Sequence, residues 1–292
     1  MTKLLPQRTV KQDAPALPVL YAKALLPQVG GETLPNTEYV RPDIDVDLAH
    51  LAAYDQVCGF RLTDELPATY PHMLIFRLQM ALMTEKEFPF PLLGMVHVAN
   101  RITQHRPLGL GETYTARVWA ENLRSHASGR QFDVRGELSV GGRPVWTEVS
   151  TYLRRGGDEG PSRSGQLTPP APTAIWRVSG DIGRRYAEVS GDRNPIHLHA
   201  LTARLFGFPS AIAHGMWIKA RALAAFEGRL PGAYTVDVRF KRPVPLPAKV
   251  GFTSWRTDEG WAFELWGTRK PRPHLEGSLR PPHLALDEVV EA

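Results

Sequence analysis

The same order of sequence signals runs through this chain twice, and that repeat limits the fold more than any other feature. Tyr54-Asp55-Gln56-Val57-Cys58-Gly59-Phe60 lines up with Tyr186-Ala187-Glu188-Val189-Ser190-Gly191-Asp192. Pro67-Ala68-Thr69-Tyr70-Pro71-His72-Met73 lines up with Pro209-Ser210-Ala211-Ile212-Ala213-His214-Gly215. Each pass then continues into an apolar stretch of helical length and four strand-like segments. Between the passes lies GGDEGPSRSGQLTPPAP, residues 156–172, rich in Gly, Pro and Ser and nearly free of large apolar groups. Such a stretch reads as a linker. A unit met twice is an internal duplication, and 292 residues are enough for two ordinary domains. The expected boundaries are 1–155, the linker 156–172, and 173–292.

Within each pass the periodicity changes from helical to alternating. Residues 1–16 read as a ragged tail and Leu17 to Leu26 as a first strand. Asp47 to Cys58 has apolar residues at helical spacing behind an acid suited to an N-cap. Met73 to Met83 is dense enough in apolar groups to be a buried helix. Strands follow near 93–104, 111–123, 130–140 and 143–155, with turns at Ser128-Gly129 and Gly141-Gly142. Period-two alternation between such turns predicts an antiparallel meander. The second pass places a strand near 174–178, a helix from Asp181, a short helix ending at Gly207, a helix from Met216 to about Gly228, and strands near 233–243, 247–257, 261–270 and 274–280. The class expected is α+β.

The chemistry concentrates in residues 186–216. Asn194-Pro195 breaks any helix, since the residue before proline is driven out of the α region. Asp192 and His197 therefore flank a tight bend and can point the same way. Ala213-His214-Gly215-Met216 opens the apolar helix, where the first amides have no intrahelical acceptor and carry positive dipole charge. Gly215 lets a ligand approach that backbone. An acid/base pair beside a free amide suits chemistry next to a carbonyl. In the first pass Asp192 is matched by Phe60 and Gly215 by Met73. Tyr54 to His72 spans 18 positions and Tyr186 to His214 spans 28, so the counterpart of Asn194-Pro195-Ile196-His197 is missing. The first copy cannot run the same chemistry. His72 survives there, so His214 is expected to fix the helix start, and His199 to lie at the surface.

Ser190-Gly191-Asp192-Arg193-Asn194-Pro195-Ile196-His197, then Ala213-His214-Gly215-Met216, then Phe240-Lys241-Arg242-Pro243-Val244 resemble the motifs of the MaoC-type (R)-specific enoyl-CoA hydratases. Tandem chains of this layout also resemble 3-hydroxyacyl-thioester dehydratases. The likeness spans roughly 174–280. It implies a tandem (double) hot-dog fold, each half a long helix wrapped by an antiparallel sheet, with the halves packed as a pseudo-dimer. It implies reversible hydration of trans-2-enoyl thioesters, with Asp192 and His197 as a dyad holding water, Asn194 orienting it and the Gly215 N–H binding the thioester oxygen. Which of Asp192 and His197 is the base stays open, as do coenzyme A versus acyl carrier protein and the direction of flux. Self-association beyond the pseudo-dimer is optional.

Other classes fit less well. A hot-dog thioesterase would attack the carbonyl with a carboxylate-activated water, and the Asn194–His197 segment speaks against it. A non-catalytic thioester binder has little reason to keep Asp192, Asn194, His197 and Gly215 together. Asp192 and His197 can both ligate a metal, but no third ligand of fixed spacing is evident, so neither metal nor cofactor is expected. No nucleophile-elbow serine or dinucleotide glycine pattern occurs. Cys58 is the one cysteine, which excludes an intrachain disulfide and suits a reducing, cytoplasmic setting. No run of eighteen apolar residues suggests a membrane span, and no signal-type apolar core follows Met1. The net charge of +5 reads as a solvated surface with some cations free to meet coenzyme A phosphates. No nucleic acid module is recognisable.

Overall fold

The computed structural model describes residues 8–26, 31–156 and 168–282. Most of the linker, 157–167, and the first seven residues of the tail lie outside the described residues. In chain order the first part holds β1 (Thr9–Gln12), α1 (Leu17–Ala24), β2 (Thr37–Ile44), α2 (Leu48–Cys58), α3 (Pro71–Met83), β3 (Met95–Gln104), β4 (Tyr114–His126), β5 (Gly129–Val140) and β6 (Arg143–Arg155). The second holds β7 (Ala174–Val178), α4 (Ile182–Ser190), α5 (Pro195–Leu198), α6 (Ala200–Leu205), α7 (Gly215–Ala224), β8 (Tyr234–Phe240), β9 (Ala248–Thr257), β10 (Gly260–Gly267) and β11 (Pro273–Arg280).

Helix boundaries follow local chemistry. The Asp47 carboxylate accepts the Ala49 N–H at 2.8 Å, which starts α2. Gly59, at φ 83°, ends it in the left-handed region that glycine adopts freely. Gly191, at φ 73°, ends α4 the same way. The pairing of Gly59 with Gly191 in the sequence repeat is thus a pairing of two helix stops.

All eleven strands form one sheet, ordered β1-β2-β4-β5-β6-β3-β8-β11-β10-β9-β7. Strands before residue 156 occupy one side and strands after 173 the other. They meet where β3 pairs antiparallel with β8, from Ala99↔Arg239 to Gln104↔Tyr234. The expected joining of the two sheets edge to edge is therefore a continuous backbone ladder. Helix α3 lies over β2, β4 and β5. Helix α7 lies across the junction: the Lys219 ammonium donates to the carbonyls of Asn100 on β3 and Val236 on β8, both at 3.1 Å. One apolar cluster runs through both halves, including Tyr54, Ile75, Leu78 and Trp146 from the first and Tyr186, Leu223, Phe226 and Phe263 from the second. Each large side chain buried there contributes about 2 kcal/mol of transfer free energy.

Four expectations change. Leu17 to Leu26 is not a strand: Leu17–Ala24 is helical, opened by Pro18, with Leu20 and Ala24 buried one turn apart. Thr9–Gln12 is not a ragged tail but a strand parallel to β2. β2 itself, TEYVRPDI, was not anticipated, because Pro42 interrupts its pattern; its ladder with β4 shifts register between Arg41 and Ile44. The last helix stops at Ala224 rather than near Gly228, and the amides of Phe226, Glu227 and Arg229 bond carbonyls three residues back in tighter turns. Among the described residues no helix is long and apolar enough to cross a membrane.

Candidate active site

The turn after α4 brings Asp192, His197 and His214 together, each offering a ligand-type atom within 4.8 Å of the others. His197 and His214 are buried, while the Asp192 side chain keeps 31% of its surface exposed. Asp192 follows the helix stop at Gly191. Asn194 then starts α5, its side-chain oxygen facing the Ile196 N–H at 3.4 Å, and its own N–H donates to the Asp192 carboxylate at 3.1 Å. The Asn194 side chain is thus engaged at a helix start, and its backbone reaches Asp192.

His197 lies in α5 and donates from Nδ1 to the Ile212 carbonyl at 2.8 Å. A carbonyl only accepts, so the proton sits on Nδ1 and Nε2 carries the lone pair. The His214 ring stacks on His197 with centroids 3.7 Å apart. Its Nε2 donates to the Asp192 carbonyl at 3.0 Å, and its buried Nδ1 has no partner among the described residues. His214 is therefore more than a helix start: it holds the acid's backbone. It is also the third potential metal ligand that spacing did not reveal, although its Nε2 is committed to that carbonyl.

Charges follow from burial. Burial pushes the Asp192 carboxyl up, but His214, His197 and the Asn194 N–H more than offset it, so its pKa lies below the usual value. Burial lowers the His197 pKa against the pull of Asp192. Burial and the neighbouring His197 push His214 down to about 3. At neutral pH the cluster is one carboxylate and two neutral imidazoles.

Gly215 is the first residue of α7, behind His214 in extended geometry. A Cβ at Gly215 would meet the Phe240 ring at 3.1 Å, so the missing side chain lets the β8 aromatic close over the helix start. Phe240 begins the Phe-Lys-Arg-Pro-Val motif, which places that motif beside the Gly215 amide.

Several contributors were not legible in the sequence. Ser190 Oγ accepts the Asp192 N–H at 3.0 Å. A Cβ at Gly183 would come within 1.9 Å of the His197 carbonyl, so α4 and α5 touch only because that residue is glycine. From the first half, His50 donates to the Val189 carbonyl at 2.8 Å, and the Tyr186 hydroxyl faces the Met73 sulfur at 3.8 Å. No spacing rule links such distant positions.

Comparisons with known proteins bear on the family and the fold. Residues 167–270 match the family model described as MaoC like domain. The chain is 40% identical over 257 residues to 3-hydroxyacyl-thioester dehydratase X of Mycobacterium tuberculosis, covering 85% of this chain and 91% of that protein. The crystal structure of HtdX from the same organism superposes with a TM-score of 0.76 at 39% identity, over 84% of this chain and 100% of that one. A second protein of that organism, described as having a double hotdog fold, aligns with a TM-score of 0.50 at 12% identity over 92% of this chain and 98% of that one, a likeness of fold alone. With 40% of the aligned residues identical along 91% of a 3-hydroxyacyl-thioester dehydratase, this chain belongs to the MaoC-like dehydratases, hydro-lyases, in the tandem hot-dog form.

Proposed function

We propose that the protein interconverts trans-2-enoyl thioesters and (R)-3-hydroxyacyl thioesters, with Asp192 and His197 as the working dyad and the Gly215 N–H as the thioester-oxygen donor. One observation carries the assignment of roles: the Nδ1–H bond to Ile212 leaves a neutral Nε2 lone pair on His197 beside an ionised Asp192. In dehydration, Nε2 takes the C2 proton and the C2–H electron pair moves toward the thioester, whose oxygen gains charge against the Gly215 amide. The C3–O bond then breaks as the C2–C3 double bond forms, and the proton on Nε2 passes to the departing hydroxyl to give water. In hydration the same nitrogen takes a proton from water as oxygen attacks C3, then delivers a proton to C2. One group thus serves as base and acid in turn. Asp192 accepts a hydrogen bond from the hydroxyl or water and stabilises the transient imidazolium. The carrier is coenzyme A or an acyl carrier protein, and the single, buried cysteine suits a cytoplasmic setting.

The first half serves as wall. Phe76 of α3 would lie 3.8 Å from a Cβ at Gly191, so α3 reaches the catalytic turn. With ten fewer residues in the first copy's counterpart segment, the single site has room for medium or long acyl chains. The test follows the enoyl-thioester absorbance while free thiol is measured in parallel and the product is resolved chirally. Loss of the double bond without thiol, with (R) product, is expected. Thiol release instead identifies a thioesterase, and neither signal identifies a binder.

A further inference from the structure

The turn that carries Asp192 is held at nearly every backbone polar group, and two of the bonds come from the other half of the chain. Gly191 N–H donates to the Ala187 carbonyl at 3.0 Å, and Asp192 N–H to Ser190 Oγ at 3.0 Å. The Asp192 carbonyl accepts from His214 at 3.0 Å. The two groups left, on either side of Asp192, both go to Tyr21 of α1. Its hydroxyl donates to the Gly191 carbonyl at 2.8 Å and accepts the Arg193 N–H at 2.6 Å. One oxygen thus bridges the residue before the acid and the residue after it. Leu17, one turn earlier on α1, lies over the same place: its Cδ1 would be 2.6 Å from a Cβ at Gly191.

We propose that Tyr21 is a positioning residue for Asp192, a clamp from the non-catalytic half that fixes the catalytic turn so that the carboxylate faces His197. The Gly191 carbonyl is part-buried and the Arg193 N–H is exposed, so water can replace either bond, but it cannot reproduce the fixed bridge that one phenol oxygen makes between the two residues flanking Asp192. The turn is a helix stop followed by residues that belong to no helix or strand, with no ladder of their own to hold them. Misplacing a reacting group by about 1 Å can cost ~100-fold in rate. The titratable groups that interact with Asp192 are His197, His214 and His72, with Tyr21, Tyr152 and Tyr186. The Asn194 N–H at 3.1 Å and His214 Nε2 at 3.8 Å from the carboxylate both help to keep it ionised, so a loosened turn weakens them together and raises its pKa. The inference rests on Asp192 being catalytic, as proposed above.

The test is Tyr21→Phe in the full chain, which keeps the ring and removes both bonds. Expected are a fall in kcat of about ten-fold or more with KM little changed, and an acid limb of the pH–rate profile moved to higher pH. Leu17→Ala is the companion variant: it removes packing on the same turn but leaves the hydroxyl, and should lower the melting temperature while the acid limb stays in place. Wild-type kcat and acid limb in Tyr21→Phe at matched folded fraction overturn the clamp. An equal shift of the acid limb in both variants overturns the hydroxyl as its agent. Normal turnover in Asp192→Asn, by contrast, sinks the reading of the site beneath it.

Discussion

The two halves end corresponding helices with the same glycine, at φ 83° in Gly59 and 73° in Gly191, and then part company. After Gly191 comes Asp192, part-exposed, with one oxygen taking the Asn194 N–H. After Gly59 comes Phe60, whose ring stacks on Tyr54 at 6.4 Å. The matching histidines diverge too. His214 holds the backbone of the acid, whereas His72 donates to the carboxylate of Glu148 at 2.8 Å. Glu148 is fully buried and also accepts from Gln79 at 3.0 Å and Asn100 at 2.6 Å, and Asn100 in turn accepts from the Lys219 ammonium. Each half thus keeps a histidine–carboxylate pairing. In one both carboxylate oxygens are bonded and fully buried; in the other the carboxylate is part-exposed and has one oxygen to spare. Spare hydrogen-bonding capacity with access, more than residue type, separates the proposed site from its counterpart in the first half.

The comparison breaks most visibly at the dyad. Asp192→Asn or His197→Gln should lower kcat by about 1000-fold while circular dichroism and melting stay close to normal. Near-normal turnover at matched folded fraction removes that residue from the mechanism. On the closed side, Glu148→Ala leaves His72, Gln79 and Asn100 without their buried acceptor and removes the negative charge near Lys219, and should cost about 3 kcal/mol in chemical denaturation, with turnover per folded molecule unchanged. A large kcat loss with normal stability would give the first half a direct part in the chemistry.

A third test moves a residue from one half to the other. Asp55 is matched by Ala187. Its carboxylate is buried with neither oxygen bonded among the described residues, and burial, with Glu227 nearby, raises its pKa from 3.8 to about 7. A carboxyl raised in the folded state keeps a proton that the unfolded chain has released. Stability therefore falls as pH rises from 3.8 toward about 7 and the cost is complete above that. Asp55→Ala should gain roughly 2 kcal/mol at pH 8 and much less at pH 4, after the lost packing is subtracted from a ceiling of ~4 kcal/mol. Equal effects at both pH values contradict it. The smallest effect concerns the wall. Each added methylene in an apolar channel is worth about 0.8 kcal/mol, so kcat/KM should climb in small steps from four-carbon toward longer enoyl thioesters. A steady fall beyond four carbons means that other side chains refill the space.

Much of this was legible in the sequence where partners lie near in the chain. The bend at Asn194-Pro195, the helix opening at Gly215 and the alternating strands all follow from local rules. Leu17–Ala24 misled because a short apolar run fits either period, and only its neighbours decide. β2 was hidden by Pro42, which a ladder tolerates at an irregular position. The supports of the site, Tyr21 on Gly191, His50 on Val189 and Gly183 under His197, join residues 14 to 170 positions apart. Nothing in composition or periodicity marks a tyrosine as one that will meet a particular turn.

The β3–β8 ladder has a consequence for how the enzyme behaves on dilution. Two separate hot-dog chains that share a site come apart as concentration falls, because association is governed by mass action. Here the partner surfaces belong to one molecule, so their meeting is intramolecular and does not depend on protein concentration. A cell holding only a few copies thus has as fully assembled a site as one holding thousands. It also makes one copy of the duplicated module free to lose its chemistry, since every molecule carries the other.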